Sequence, residues 1–127
     1  MALARYDAHG SLVYGFGDGD GTVRTDFGSY FDDAFGMAVQ ADGRIIVGSH
    51  HLDGSINTAA VARYAPNGRL DASFSDDGIA VSDVAVSGDN VGGLALQPNG
   101  RIVVAGAATT DDPESSFAFF VARFLAG

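Results

Sequence analysis

Short apolar runs alternate with turn-forming residues along the whole chain. At residues 38–47 and again at 95–104, two apolar runs are joined by Asp-Gly or Asn-Gly. These dipeptides tolerate the positive φ angles of tight turns, so each place predicts a β-hairpin. The two hairpins lie 57 residues apart, counted from Arg44 to Arg101 (101 − 44). A similar unit that returns at such a spacing indicates a repeat architecture.

Each repeat is predicted to hold four short strands. They are expected at 35–40, at 44–49, around Arg63 and around Val81, and the second copy begins again at 92–97 and 101–107. Consecutive apolar residues, as at 45–47 and 102–104, place apolar side chains on both faces of a strand. Four antiparallel strands buried on both faces are typical of a β-propeller blade. A β-sandwich is the alternative, but it would leave the repeat unexplained.

We therefore predict an all-β chain of about two four-stranded antiparallel blades. The repeat copies cover about residues 3–60 and 61–124 of a single unit, 1–127. Polar loops are expected at 28–33, 50–57 and 87–90.

The amino-acid composition supports this fold and excludes some classes of partner and site. Lys is absent and Glu occurs once, at Glu114, so two good helix formers are nearly missing. The net charge of −9 argues against a nucleic-acid partner. The chain has no Cys, which excludes disulfides and thiolate metal sites. We expect no membrane-spanning segment, because no apolar run approaches about 20 residues, and no signal peptide ahead of the first repeat.

The order of motifs resembles the bacterial delta-60 repeat. The motifs are Ala-Arg-Tyr at 62–64, Asn-Gly-x-Leu-Asp-x-x-Phe at 67–74 and Gln-Pro-Asn-Gly-Arg-Ile-Val-Val-Ala-Gly at 97–106. The resemblance implies propeller-like blades, often in tandem arrays, and a bacterial origin, but no fixed catalytic residue or substrate. The first copy departs from the pattern, because Val13 stands where the second copy has Asp71.

The predicted strands leave the ring incomplete, because propellers contain 4–8 blades. We expect the chain to form homo-oligomers that close a propeller, with a trimer of six blades favoured over a dimer or a tetramer. The third strands around Arg5 and Arg123 would then compete for one place. A fragment of a longer repeat array is the alternative.

Acidic and histidine residues cluster in the loops that should open on one face of the ring. A metal site is predicted from Asp32, Asp33, His50, His51, Asp89 and Asn90. Carboxylate and imidazole ligands suit a divalent metal such as Ca²⁺ or Zn²⁺. With His50, His51 and Asp53 as catalytic residues, a metal-bound water would hydrolyse an ester, lactone or phosphotriester.

Other interpretations of these residues stay open. Adjacent histidines on a strand point to opposite faces, and the acidic pairs can instead cap turns. The protein would then be a non-catalytic propeller that binds a small molecule or another protein. Arg5, Arg63 and Arg123 are expected to be structural, paired with loop acids such as Asp71. The Gly-Asp alternation at 17–21 predicts a turn rather than a calcium loop.

Overall fold

The part of the chain that the structure describes folds into β-strands and turns. A computed structural model describes residues 1–28, 33–54, 56–109 and 117–125, without the side chains at 53, 56, 83–90, 109 and 117. The strands are β1 (Ala2–Ala4), β2 (Thr22–Arg24), β3 (Ala34–Val39), β4 (Ile45–Asp53), β5 (Ile56–Tyr64), β6 (Ile79–Leu96), β7 (Ile102–Thr109) and β8 (Phe117–Phe124). The residues described contain no helix, and so no helix long and apolar enough to cross a membrane.

The strands form one complete blade between two incomplete ones. β1 pairs with β2, and β3 to β8 pair antiparallel in chain order. β6 serves two blades, since it begins on β5 (Ile79 opposite Ala62) and ends on β7 (Leu96 opposite Ile102). We call β3-β4-β5-β6 the central blade, β1-β2 the N-terminal half-blade and β6-β7-β8 the C-terminal blade. The predicted all-β blade architecture is confirmed.

Two loop predictions were wrong. β6 runs without a break through residues 87–90, and the β4–β5 ladder continues to the pair Asp53 and Ile56, so residues 50–53 lie in a strand. Register shifts between Thr58 and Ala60, and again between Val86 and Gly93, let β6 leave β5 and join β7. Such bulges bend a strand while most of its pairing is kept, so no loop is needed between the blades.

The repeated hairpin turns form as predicted. Gly43 and Gly100 have φ angles of 85° and 81°, a region that glycine enters without steric cost. The Gly43 amide donates to the Gln40 carbonyl at 2.9 Å, and the Gln40 amide donates to the Arg44 carbonyl at 2.8 Å. This is a three-residue turn ending in a left-handed glycine, which sets the register of β3 against β4. Residues 17–21 are also a turn, as expected.

The central blade is buried on both faces. Val47, Ala62 and Tyr64 pack on one face with Leu3 and Val23 of the N-terminal half-blade. On the other face the packing residues are Ile46, Ala59 and Val61 with Ile102, Val104 and Phe120 of the C-terminal blade. The Tyr64 hydroxyl donates to Thr25 Oγ1 at 2.7 Å, which adds a polar link across the first interface. The strands of the central blade therefore carry apolar residues on both faces because a neighbouring blade covers each face.

Candidate functional site

The residues predicted to bind metal are only partly described. Asp33 is exposed at the start of β3, and its carbonyl accepts a hydrogen bond from the His50 amide at 3.2 Å. Asp32 lies outside the described residues, and so do the side chains of Asp53, Asp89 and Asn90. Among the side chains that are described, no three His, Asp or Glu residues are grouped to hold a metal ion. The metal site stays a prediction.

His50 and His51 do not converge on one point. Both lie in the regular β4–β5 ladder, opposite Ala59 and Thr58, so their side chains point to opposite faces of the central blade. His50 is 6% exposed and packs edge-on against the Phe35 ring, with 5.4 Å between centroids. Among the residues that the structure describes, neither ring nitrogen of His50 has a hydrogen-bond partner. His50 is thus a buried polar group whose hydrogen-bonding capacity is unused.

Arg63 is structural, as the recurrence of the Ala-Arg-aromatic motif predicts. Its Nε donates to Asp71 Oδ2 at 2.9 Å, and its guanidinium lies 4.9 Å from the centroid of the Phe74 ring. Arg44 Nε donates to the same carboxylate oxygen at 2.7 Å. The hydrogen bond from the Ser73 hydroxyl, then that from Arg44, together with the charge of Arg63, hold the pKa of Asp71 well below its usual range. Arg44 was not among the residues predicted for this network, although its recurrence as Arg101 is a signal in the sequence.

The N-terminal half-blade has Val13 in the place of the Asp71 carboxylate. The Val13 amide donates to the Arg5 carbonyl at 2.9 Å, just as the Asp71 amide donates to Arg63 at 2.9 Å, so Val13 occupies the place of Asp71. With no carboxylate there, Arg5 Nη1 donates instead to the Pro66 carbonyl at 3.0 Å. Among the described residues, the N-terminal half-blade therefore has no counterpart of the Arg63–Asp71 ion pair.

The outer face of the C-terminal blade exposes apolar residues that the central blade buries. Val61 is 0% exposed, whereas its repeat equivalent Val121 is 60% exposed. Ala59 is likewise 0% exposed, whereas its equivalent Phe119 is 86% exposed. Sequence alone could not separate the members of each pair, because their exposure depends on whether a neighbouring blade covers them. We call this surface the outer face.

A second apolar surface lies on the opposite side of the chain. Met37 of β3 is 62% exposed, and Val39 beside it is also exposed. They line a groove of about 310 Å³ between the central blade and β1, together with Leu3 and Ile45. Their repeat equivalents in the C-terminal blade, Leu94 and Leu96, are partly buried and pack on the central blade core. We call the exposed surface around Met37 and Val39 the groove face.

Glycines determine how closely two blades approach. A Cβ on Gly36 would lie 3.3 Å from Leu94 Cβ, and one on Gly48 would lie 3.1 Å from Leu94 Cδ1. Leu94 thus fits a slot that exists because both positions lack side chains. The repeat equivalent of Gly36 is Gly93, on the outer face, and a Cβ there would meet nothing within 4 Å. The repeat equivalent of Gly48 is Ala105, which is exposed and pairs with Gly93. The outer face therefore carries an open counterpart of the occupied slot, made shallower by the Ala105 methyl group.

Four-stranded antiparallel blades that repeat along the chain and stack face to face define a repeat-type β-propeller. A family model described as "Domain of unknown function (DUF5122) beta-propeller" matches residues 40–74 and 97–127. The chain belongs to this family, which is of the bacterial propeller repeat type. No curated protein and no solved structure matches the chain. The description of the family assigns no activity.

Proposed function

We propose that the chain is a blade-stacking assembly unit, a non-catalytic propeller module whose copies associate head to tail. The observation that carries this proposal is the contrast between buried Val61 and exposed Val121 at equivalent positions. The same side chain is a core residue when a blade covers it and a surface residue when none does. An apolar surface of this kind marks an interaction site.

The two surfaces that would meet are different, so the contact is heterologous. The outer face of one copy would cover the groove face of the next, as the central blade covers the C-terminal blade within one chain. A heterologous contact builds a ring if the rotation closes and a filament if it does not. Because propellers contain 4–8 blades, we propose a closed ring, with a trimer of about six blades favoured.

The exposed side chains are large enough to drive such a contact. Full burial of a Val or Phe side chain contributes about 1.5–3 kcal/mol. Val121 is 60% exposed and Phe119 86% exposed, so their burial together supplies roughly 2–4 kcal/mol at each junction, before the cost of association is subtracted. The net charge of −9 per chain opposes assembly. Because salt screens this repulsion, association should strengthen as ionic strength rises.

Size-exclusion chromatography with light scattering tests the proposal. We expect the chain to form a discrete oligomer whose population grows with concentration, and Val121→Asp and Phe119→Asp to be monomers with an unchanged far-UV circular dichroism spectrum. Tyr14→Asp is the matched control, because Tyr14 is also exposed but belongs to neither face. A wild-type chain that stays monomeric at high concentration and high salt would contradict the proposal.

A metal-dependent hydrolase is a second candidate, and one observation favours it. Among the described residues, the two ring nitrogens of buried His50 have no hydrogen-bond partner, and its amide bonds to the carbonyl of Asp33, another residue of the predicted metal site. Metal analysis of the purified protein, followed by turnover of esters, lactones and phosphotriesters with and without a chelator, tests this function. Metal-free protein with no chelator-sensitive turnover contradicts it. We also propose that the repeat is of the delta-60 type, supported by the motifs at 62–74 and 97–106.

A further inference from the structure

We infer that assembly proceeds by strand exchange, in which β8 of one copy displaces β1 of the next. The resulting blade would be built from two chains, with β6, β7 and β8 from one and β2 from the other. This inference rests on the proposed assembly function and specifies how two copies join. A second copy of the chain is the partner.

β1 and β8 are equivalent strands. Leu3 and Val121 both correspond to Val61, the residue of the third strand that faces the following blade. Leu3 already packs on the face of the central blade that holds Tyr64. In the exchanged blade, Val121 of the second copy would take the place of Leu3, and Phe119 would take that of Met1. Only one of the two strands can occupy this position.

The length of each strand's backbone ladder determines which of the two strands is displaced. β1 is matched to β2 through three residue pairs, whereas β8 is matched to β7 through eight. Beyond those pairs, the backbones of Met1 and Thr25 exchange hydrogen bonds of 3.0 and 3.1 Å, and the Arg5 amide donates to the Gly21 carbonyl. Displacing β1 therefore breaks a short ladder, and β8 can rebuild that ladder on β2. Displacing β8 would break a ladder more than twice as long.

The groove beside β1 fits the rest of the incoming blade. In the formed interface, Leu94 of β6 enters the slot at Gly36 and Gly48. Met37 is the repeat equivalent of Leu94, and its side chain is exposed in the groove. Gly93 is the repeat equivalent of Gly36, and the space above it is empty. Met37 of one copy would enter the slot at Gly93 of the other. This contact is continuous with the existing interface between the central blade and the N-terminal half-blade, because the groove is lined by both.

An engineered disulfide tests the exchange directly. Ala2 and Arg24 are opposite each other and exposed. They follow the hydrogen-bonded pair Met1 and Thr25, so they form a non-hydrogen-bonded pair, whose side chains are close enough to be bridged. The chain has no other Cys, so Ala2→Cys with Arg24→Cys gives a single reversible lock of β1 on β2. The wild-type chain with the same oxidant is the control.

We expect the oxidised double variant to be monomeric and the reduced form to assemble like the wild type. A locked variant that assembles as well as its reduced form would overturn the exchange and leave the assembly function standing. If the wild-type chain itself does not assemble, both proposals are overturned.

The slot is tested separately with Gly93→Leu. Gly15→Leu is its matched control, since a Cβ at either glycine would meet nothing within 4 Å and neither has a positive φ angle. We expect Gly93→Leu to fold normally and to weaken association by roughly tenfold or more, and Gly15→Leu to associate like the wild type. Unchanged association of folded Gly93→Leu would overturn the packing of Met37 into this slot.

Discussion

Replacement of Asp71 by Asn should destabilise the central blade strongly. The Asp71 carboxylate accepts hydrogen bonds from Arg63, Arg44 and Ser73 at 2.7–2.9 Å. Asn keeps the shape of the side chain but removes its charge and one acceptor oxygen. Arg63 would keep its positive charge in a place where its side chain is only 6% exposed.

The magnitude follows from the burial of Arg63. Removing one partner of a buried ion pair costs about 3–5 kcal/mol, because the remaining charge loses the attraction that offsets its desolvation. Asp71 itself is 12% exposed and Arg44 is 39% exposed, so water partly compensates the loss. We therefore expect the lower end, about 3 kcal/mol. For a chain of this size, that lowers the melting temperature by roughly 10 °C.

Thermal unfolding followed by circular dichroism at pH 7 measures the effect. Asp42→Asn is the matched control, because Asp42 also pairs with Arg44 but is exposed and does not bond to Arg63. We expect the control to melt close to the wild type. Equal melting temperatures for the two variants would refute the reasoning that the buried Arg63 sets the cost.

The same pair gives a pH dependence with a defined sign. The pKa of Asp71 is lower in the folded chain than its ordinary value of 3.8. The stability it contributes is therefore fully present well above pH 3.8 and is lost as the pH falls towards the folded pKa. The difference between wild type and Asp71→Asn should be constant from about pH 6 upwards and shrink below about pH 4. A difference that grows on acidification would contradict this linkage.

Two further substitutions test the inter-blade packing and the buried histidine. Gly48→Ala should lower stability by about 1–3 kcal/mol, because its Cβ would clash with the Phe35 ring. Gly15→Ala should melt like the wild type, and equal melting of the two variants would contradict this prediction. His50→Phe should raise stability by about 1 kcal/mol, because it removes a polar ring whose nitrogens have no hydrogen-bond partner among the described residues. If His50 instead holds a metal, Zn²⁺ would raise the melting temperature of the wild type but not of His50→Phe.

Much of the fold could be predicted because turn-forming dipeptides act on their immediate neighbours and because the repeat shows which segments are equivalent. Asp42-Gly43 and Asn99-Gly100 fix two hairpins, and the strand order follows once the two copies are aligned. The continuity of β6 could not be predicted, because it depends on bulges that transfer the strand from β5 to β7. Polar residues at 87–90 favour a loop when they are considered without their pairing partners.

Less of the candidate site could be predicted from the sequence. His50 was predicted as a loop ligand, but the extended β4–β5 ladder places it in a strand against Phe35. A register shift between Ala34 and Gly36 accompanies this packing and has no clear mark in the sequence. The exposure of the two apolar faces could not be predicted either. Val61 and Val121 are the same residue type, and they differ only in whether a neighbouring blade covers them.

The shared strand β6 has a consequence for how the molecule unfolds. Its first part is the edge of the central blade and its last part is the innermost strand of the C-terminal blade. The pair Ala85–Thr58 with β5 is followed directly by the pair Val86–Ala108 with β7. Opening the middle of β6 therefore removes backbone pairing from both blades, so the two should exchange their backbone amide protons as one cooperative unit. Repeat proteins are often described as chains of separable modules. Here one unbroken strand joins two blades, so a change that destabilises one blade should also destabilise the other.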